Sequence, residues 1–202
     1  MFIDAQTLDA ANTYRLLVGS VVPRPIAWVT SGKAPGPTNL APFSSFAWVS
    51  QYPAMLGFTV MPRADRRKDT MLNIERDGCY VVNIASEDML DQLHASSEAF
   101  APDVSEAEAV GLKLIPSTII DVPRLEAAAV SMECVHEQTV RFSETGGEFV
   151  VGRVVGWNID DRVMRDGRID TELLRPLGRL AGPRYSILGQ VIELPPVPGG
   201  GG

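Results

Sequence analysis

The chain has only two cysteines and two histidines in its 202 residues, and that scarcity excludes several chemistries. Cys79 and Cys134 lie far apart, sit in apolar strand-like runs and form no metal or redox spacing, so both are expected as reduced core thiols. His94 and His136 share no ligand spacing with cysteines or carboxylates, which argues against a metal site. No apolar run approaches bilayer length, and the N-terminus lacks a basic region followed by an apolar signal core. A cytoplasmic protein with no membrane partner is therefore expected. Basic residues are outnumbered, 18 Lys and Arg against 25 Asp and Glu, leaving a net charge of −7. That balance excludes nucleic acid as the expected partner, because phosphate backbones are gripped by clustered cations. Ser44 and Ser45 lack the glycine-flanked strand-to-helix elbow that exposes a hydrolytic serine.

What remains is a chain long enough for one domain with a substantial core. Residues 1–194 read as that domain, and the Pro/Gly-rich stretch 195–202 reads as a flexible tail. After an amphipathic opening around Tyr14, Leu17 and Val18, the pattern predicts a strand over Ile26 to Thr30 and a second from about Asn39 to Val49. Met55 to Val60 reads as a third strand. Asp69 is a good N-cap for a helix that Gly78 stops, ahead of the strand Cys79 to Ile84. Ser86, Glu87 and Asp88 start another helix, and the acidic, Ala-rich stretch to Gly111 reads as surface helix and loop. Val130 to Phe142, the turn at Gly146-Gly147, and Phe149 to Ile159 form a long antiparallel hairpin. Strands come in clusters with helices inserted between them, so a mainly β fold with peripheral helices, a β-barrel, is favoured over a Rossmann sheet.

Two constellations carry chemistry. Arg63, Arg66, Arg67 and Lys68 precede the helix start at Asp69 and Thr70, where free N–H groups and the positive dipole end would meet a small phosphorylated ligand. A solvated helix start explains the same residues. Asn39-Leu40-Ala41-Pro42-Phe43-Ser44-Ser45 places an amide and two hydroxyls in an apolar segment, suited to a planar ring with imide edges or to simple bonding with nearby backbone.

Pro23-Arg24-Pro25-Ile26-Ala27-Trp28-Val29, Asn39 to Phe46, Lys68-Asp69-Thr70 with Asn73-Ile74, and Tyr80 to Ile84 resemble, in that order, the flavin reductase-like family that includes flavoredoxin. The similarity continues through Gly152-Arg153-Val154-Val155 and Leu177-Gly178-Arg179 to Tyr185. The resemblance implies a split β-barrel of Greek-key type, a homodimer, and FMN bound near the subunit boundary. By position, Trp28, Val29 and Thr30 would border the flavin ring, and Asn39, Leu40 and Ala41 would meet its polar edge. Ser44 and Ser45 would lie toward the ribityl chain or phosphate, with Lys68, Asp69 and Thr70 on the phosphate side. Arg179, Arg184 and Tyr185 lie where relatives close the site. The implied activity is hydride transfer from NADH or NADPH to flavin N5, with a monooxygenase or redox protein as a further partner and no protein nucleophile. A flavoredoxin-like FMN electron carrier, a non-catalytic flavin-binding protein, and a barrel binding another phosphorylated aromatic such as pyridoxal phosphate are the alternatives.

Overall fold

The computed structural model describes residues 1–62, 66–142 and 146–195. Helix α1 (Ala10–Ser20) begins where the Asp9 carboxylate accepts from the Asn12 N–H at 2.7 Å. Strands β1 (Ala27–Ser31), β2 (Asn39–Phe43), β3 (Phe46–Ser50) and β4 (Met55–Val60) follow, then helix α2 (Asp69–Asp77) and strand β5 (Cys79–Asn83). Two short helices, α3 (Leu90–Ala95) and α4 (Glu106–Ala109), precede the long strands β6 (Val130–Arg141) and β7 (Glu148–Ile159).

These strands form one antiparallel sheet in the order β2-β1-β5-β6-β7-β4-β3. Its two outer strands are consecutive in the chain. Ser44 and Ser45 link them, and the Ser45 carbonyl accepts from the Thr59 N–H at 2.9 Å, so the sheet curls until its ends lie side by side. The fold is a split barrel, mainly β with peripheral helices, as expected.

Every residue of β1 and β5 is buried, which requires cover on both faces. Alternation supplies it. Ala27, Val29, Tyr80 and Val82 point into the barrel with Phe43, Phe58, Cys134 and Val150, and α2 adds Met71 and Ile74 to that core. Trp28 points the other way, into a second cluster with Leu40, Leu93, Ala107, Leu125 and Leu177. Close packing forbids a side chain at one point on β7: a Cβ on Gly152 would lie 2.1 Å from Tyr80 Oη. Gly78 ends α2 at φ 69°, in the left-handed region that favours glycine.

The structure corrects three expectations. The single strand from Asn39 to Val49 is two strands, because the chain turns at Ser44 and Ser45 to change edges of the sheet. Asp69 is not the N-cap of α2; Lys68 holds that position without a side-chain cap bond, and Asp69 is the first helical residue. The stretch to Gly111 is not surface throughout, since Glu106 and Ala107 are buried. Arg63 and the 196–202 part of the expected tail lie outside the described residues. Cys79 and Cys134 are free, buried thiols, and burial pushes both upward in acidity scale, away from thiolate.

Two buried polar groups brace the frame. Asn83 donates to the Trp28 carbonyl at 3.0 Å and accepts from the Leu125 N–H and the Ser131 hydroxyl, at 3.1 and 2.9 Å. Glu133 is fully buried and accepts from the N–H groups of Thr118, Ile119 and Ile120 and from the Asn158 amide, at 2.7, 2.7, 3.1 and 2.7 Å. Burial alone would raise its pKa, but those donors outweigh burial and hold the carboxyl below its usual range. A depressed folded pKa means stability that is complete above the unfolded value, about 4.3 for glutamate, and is lost as pH falls through the folded one. Thermal melts of Glu133→Gln are expected to show a shallower acid limb than the parent below about pH 4, and urea denaturation at neutral pH a loss of about 1–3 kcal/mol. An unchanged acid limb would remove Glu133 from that role.

Candidate functional site

The site lies along the outer edge of β2. An edge strand leaves alternate N–H groups without a ladder partner, and here the Leu40 N–H is buried and bonded at 2.9 Å to Glu106 Oε2. Asn39 is fixed beside it: its amide donates to Thr70 Oγ1 at 2.9 Å, a buried contact that ties the strand to the first turn of α2. The space between β2, α2 and the segment after α3 is a narrow cavity of about 70 Å³, lined by Asn39, Ala41, Lys68, Asp69, Thr70 and Glu106 among others.

Pro42, Lys68 and Ser97 also line a broader cleft of about 470 Å³, so the two spaces are arms of one depression. Its remaining wall includes Tyr14, Arg24, Ile26, Ser44, Arg179 and Tyr185. This broad arm contains three cationic side chains and no carboxylate among its lining residues. Arg24 braces it from behind, donating to the carbonyls of Val18, Val21 and Leu180 at 2.9, 2.7 and 3.1 Å and to Ser44 Oγ at 3.4 Å. Lys68 sits where the arms meet, its Nζ 5.3 Å from the centroid of the Phe43 ring. At the rim, the Arg179 guanidinium stacks on Tyr185 at 4.5 Å and bonds to its hydroxyl. Burial raises the Tyr185 pKa and Arg179 opposes it, with a net upward direction that keeps the phenol protonated.

Of the residues picked out from sequence, Asn39, Ala41, Ser44, Lys68, Asp69 and Thr70 come together around this depression. Leu40 contributes its backbone, while its side chain is buried in the second core. Ser45 lines a neighbouring shallow apolar depression with Val21, Pro25 and Phe149, which shares Arg24 and Ser44 with the broad arm, and its hydroxyl pairs with Thr59 at 3.1 Å. Trp28, Val29 and Thr30, expected beside a flavin ring, are wholly buried. The Trp28 indole donates to Ser96 Oγ at 2.9 Å, Val29 fills the barrel, and the Thr30 hydroxyl donates to the Pro123 carbonyl at 2.7 Å. Core packing has consumed those side chains.

The basic cluster before α2 is also largely spoken for. Arg67 bonds to both Glu75 and Glu148, and its hydrogen bond to Glu75 first, with Glu148 behind it, raises its pKa against burial. Arg66 pairs with Asp69 at 3.4 Å. Sequence reasoning missed Glu106, Ser97, Tyr14 and the bracing role of Arg24. Only Arg24 carried a signal, being locked between Pro23 and Pro25; Glu106 reads like its exposed neighbour Glu108.

Comparison with known proteins settles the relationship. Residues 18–173 match the model of the flavin reductase like domain. The chain belongs to that family. Relatives align along nearly its whole length. It is 37% identical over 199 residues to an uncharacterized protein of Halalkalibacterium halodurans, covering 96% of this chain and 95% of that one. The structure of nitrilotriacetate monooxygenase component B from Bacillus cereus superposes with a TM-score of 0.91 at 35% identity, over 96% of this chain and 98% of that one. The 2-nitrobenzoate 2-nitroreductase of Pseudomonas fluorescens gives 0.88 at 34% identity, over 98% and 96%. An oxidoreductase of the flavin reductase superfamily is the reading these relationships support, and family and fold together support FMN as cofactor. Among the described residues, no helix is long and apolar enough to cross a membrane and no cluster of potential metal ligands is present.

The site depends on β2 staying where Glu106 holds it. Glu106→Ala would leave the Leu40 N–H buried without its acceptor, and the expected cost is about 1–3 kcal/mol in urea denaturation. Glu106→Gln, which keeps an acceptor oxygen, is expected to recover part of it. A variant as stable as the parent would show that β2 is held by its ladder alone.

Proposed function

We propose that the two-armed cleft is an FMN seat and that the protein is an NAD(P)H-dependent flavin reductase. The observation that carries this reading is that Arg24, Lys68 and Arg179 line the broad arm, which opens beside the start of α2 and the fixed amide of Asn39. A ligand with a phosphate dianion, a flexible polyol and a ring with an imide edge matches that set of donors. Lys68 and the first turn of α2, with Asp69 and Thr70, form the phosphate end. Asn39, anchored through one N–H to Thr70, keeps its carbonyl oxygen and second N–H for the pyrimidine edge, and Ala41 allows the backbone of β2 to approach closely. Ser44 lies toward the linking chain.

Bound FMN supplies the hydride acceptor, so the protein needs no nucleophile of its own. The chain's work is to hold the ring, exclude water from one side of it, and leave the other side open to NADH or NADPH. The names of the two solved relatives at 34% and 35% identity are those of redox proteins, which supports a reductase that serves a partner oxygenase or an organic acceptor.

A homodimer is part of the same proposal. Helix α1 buries no side chain, and Tyr14, Leu16, Leu17, Val21, Trp48 and Tyr52 are exposed apolar groups in the single chain. A second copy is the proposed cover. Sedimentation is expected to give twice the chain mass of 21.9 kDa, and a species at the chain mass would remove the dimer.

Anaerobic stopped-flow tests the activity: NADH or NADPH is expected to bleach the visible band of added FMN faster with protein than without. No acceleration by either donor would reject the reductase. For the seat itself, Lys68→Ala is expected to weaken FMN by about 10- to 100-fold, corresponding to a charge-assisted contact of about 1.5–3 kcal/mol. Riboflavin, which lacks the phosphate, should be unaffected in a fluorescence titration. Equal weakening of both would take the phosphate away from Lys68.

A further inference from the structure

Beyond the narrow arm the depression continues into a third space. This distal chamber, of about 240 Å³, shares Asn39, Asp69 and Glu106 with the narrow arm. The FMN seat takes up the other two spaces and assigns nothing to this one. Its floor is a single stripe of α2: Asp69, Leu72, Asn73 and Arg76 follow the i, i+3, i+4, i+7 spacing that puts side chains on one helix face. Thr70, Met71 and Ile74 of the same helix are buried. Two loops complete the lining. The β1–β2 connection supplies Gly36 and Pro37, and the segment between α3 and α4 supplies Ala101, Pro102 and Val104. A proline with fixed φ stiffens each loop, so a ligand meets walls that need little ordering.

The lining combines two kinds of surface. Leu72, Pro37, Pro102 and Val104 offer apolar contact suited to the faces of a flat ring. Asp69, Glu106, Asn39 and Asn73 bring carboxylate and amide oxygens, which accept hydrogen bonds. These polar groups are oriented by their neighbours. Asp69 pairs with Arg66 at 3.4 Å, Glu106 holds the Leu40 N–H at 2.9 Å, and the Asn73 amide donates to Ser31 Oγ at 3.4 Å. Arg76 is gripped by Asp77 through bonds of 2.8 and 2.7 Å. The Asp69 carboxylate has several lone-pair sites, so one ion pair orients it without exhausting it. Such a lining recognises a flat ring edged with N–H donors, and an aminopurine has that edge. Its distance from the phosphate end selects a nucleotide: Asn73 lies one turn of α2 beyond Asp69, about 5 Å along the axis, the step that a single sugar bridges between a phosphate and its base.

We propose that the distal chamber holds the adenosine end of a dinucleotide, its adenine ring between the two proline-bearing loops and its amino group turned to the carboxylates. This rests on the flavin reading for the phosphate end at Lys68 and goes beyond it by assigning a base subsite. Two sources share the chemistry, the adenylate half of FAD and that of a nicotinamide dinucleotide.

Calorimetric titration of the full chain with adenosine and inosine, neither of which carries a phosphate, isolates the chamber from the cations of the broad arm. Adenosine is expected to bind saturably with FMN present in excess, and about tenfold tighter than inosine, in which a carbonyl replaces the amino group. Leu72→Ala and Val104→Ala trim the apolar walls at positions that are exposed in part, so the fold is expected to stand. Each should weaken adenosine about tenfold and leave FMN affinity unchanged. FAD weakened in Leu72→Ala would identify the flavin dinucleotide; NADH weakened there, with reduced nicotinamide mononucleotide unchanged, would identify the pyridine dinucleotide. Inosine binding as well as adenosine, adenosine affinity unchanged in both variants, competitive displacement of adenosine by FMN, or neither dinucleotide weakened would overturn the subsite and leave the flavin reading standing. Failure of FMN to bind the parent, with the preference for adenosine present, would count against the flavin reading alone.

Discussion

The whole site depends on a backbone group that the sheet cannot satisfy. Strand β2 lies at an edge, and its buried Leu40 N–H finds its acceptor in a glutamate carried by a four-residue helix far along the chain. An amide buried without that bond would cost free energy comparable to a sizeable part of a domain's net stability. The requirement pulls α4 and the loop around it against the barrel. Once there, the loop becomes a wall, and the gap between it and α2 becomes the narrow arm of the cleft. Binding geometry is thus a by-product of completing an edge strand.

The charge distribution follows a related logic. The chain is acidic as a whole, yet its cleft presents cations without a lining carboxylate in the broad arm. Most other arginines near α2 are neutralised: Arg67 by Glu75 and Glu148, Arg66 by Asp69, Arg76 by Asp77. Arg24, Lys68 and Arg179 stand together in the lining of the broad arm. A field focused in a cleft and cancelled elsewhere attracts small anions without inviting polyanions.

Much of this was legible in the residues. A short run apolar on both faces in Met55–Val60 and alternation in the long hairpin gave their strands, and Gly78 gave the end of α2, because such runs, periodicity and a left-handed cap are local properties. The surroundings of Trp28 were not legible for the same reason: an indole beside a motif looks available until a distant serine and a second core claim it. The face of β1 that carries Trp28 is covered chiefly by residues sixty and more positions away, so no local pattern announces its burial. Glu106 was invisible because its role is set by the partner across the fold and not by its neighbours in sequence. The family resemblance supplied the order of motifs; the structure supplied which side chains line the cleft.

Arg24 carries a mechanical consequence. One planar fork reaches the exit of α1 through two carbonyls, the turn at Ser44 through a hydroxyl, and the C-terminal segment through Leu180. Three stretches of chain that share no ladder are riveted at one point, so tilting any of them strains hydrogen bonds in the other two. The exposed first helix is therefore tied to the wall of the cleft through a single side chain.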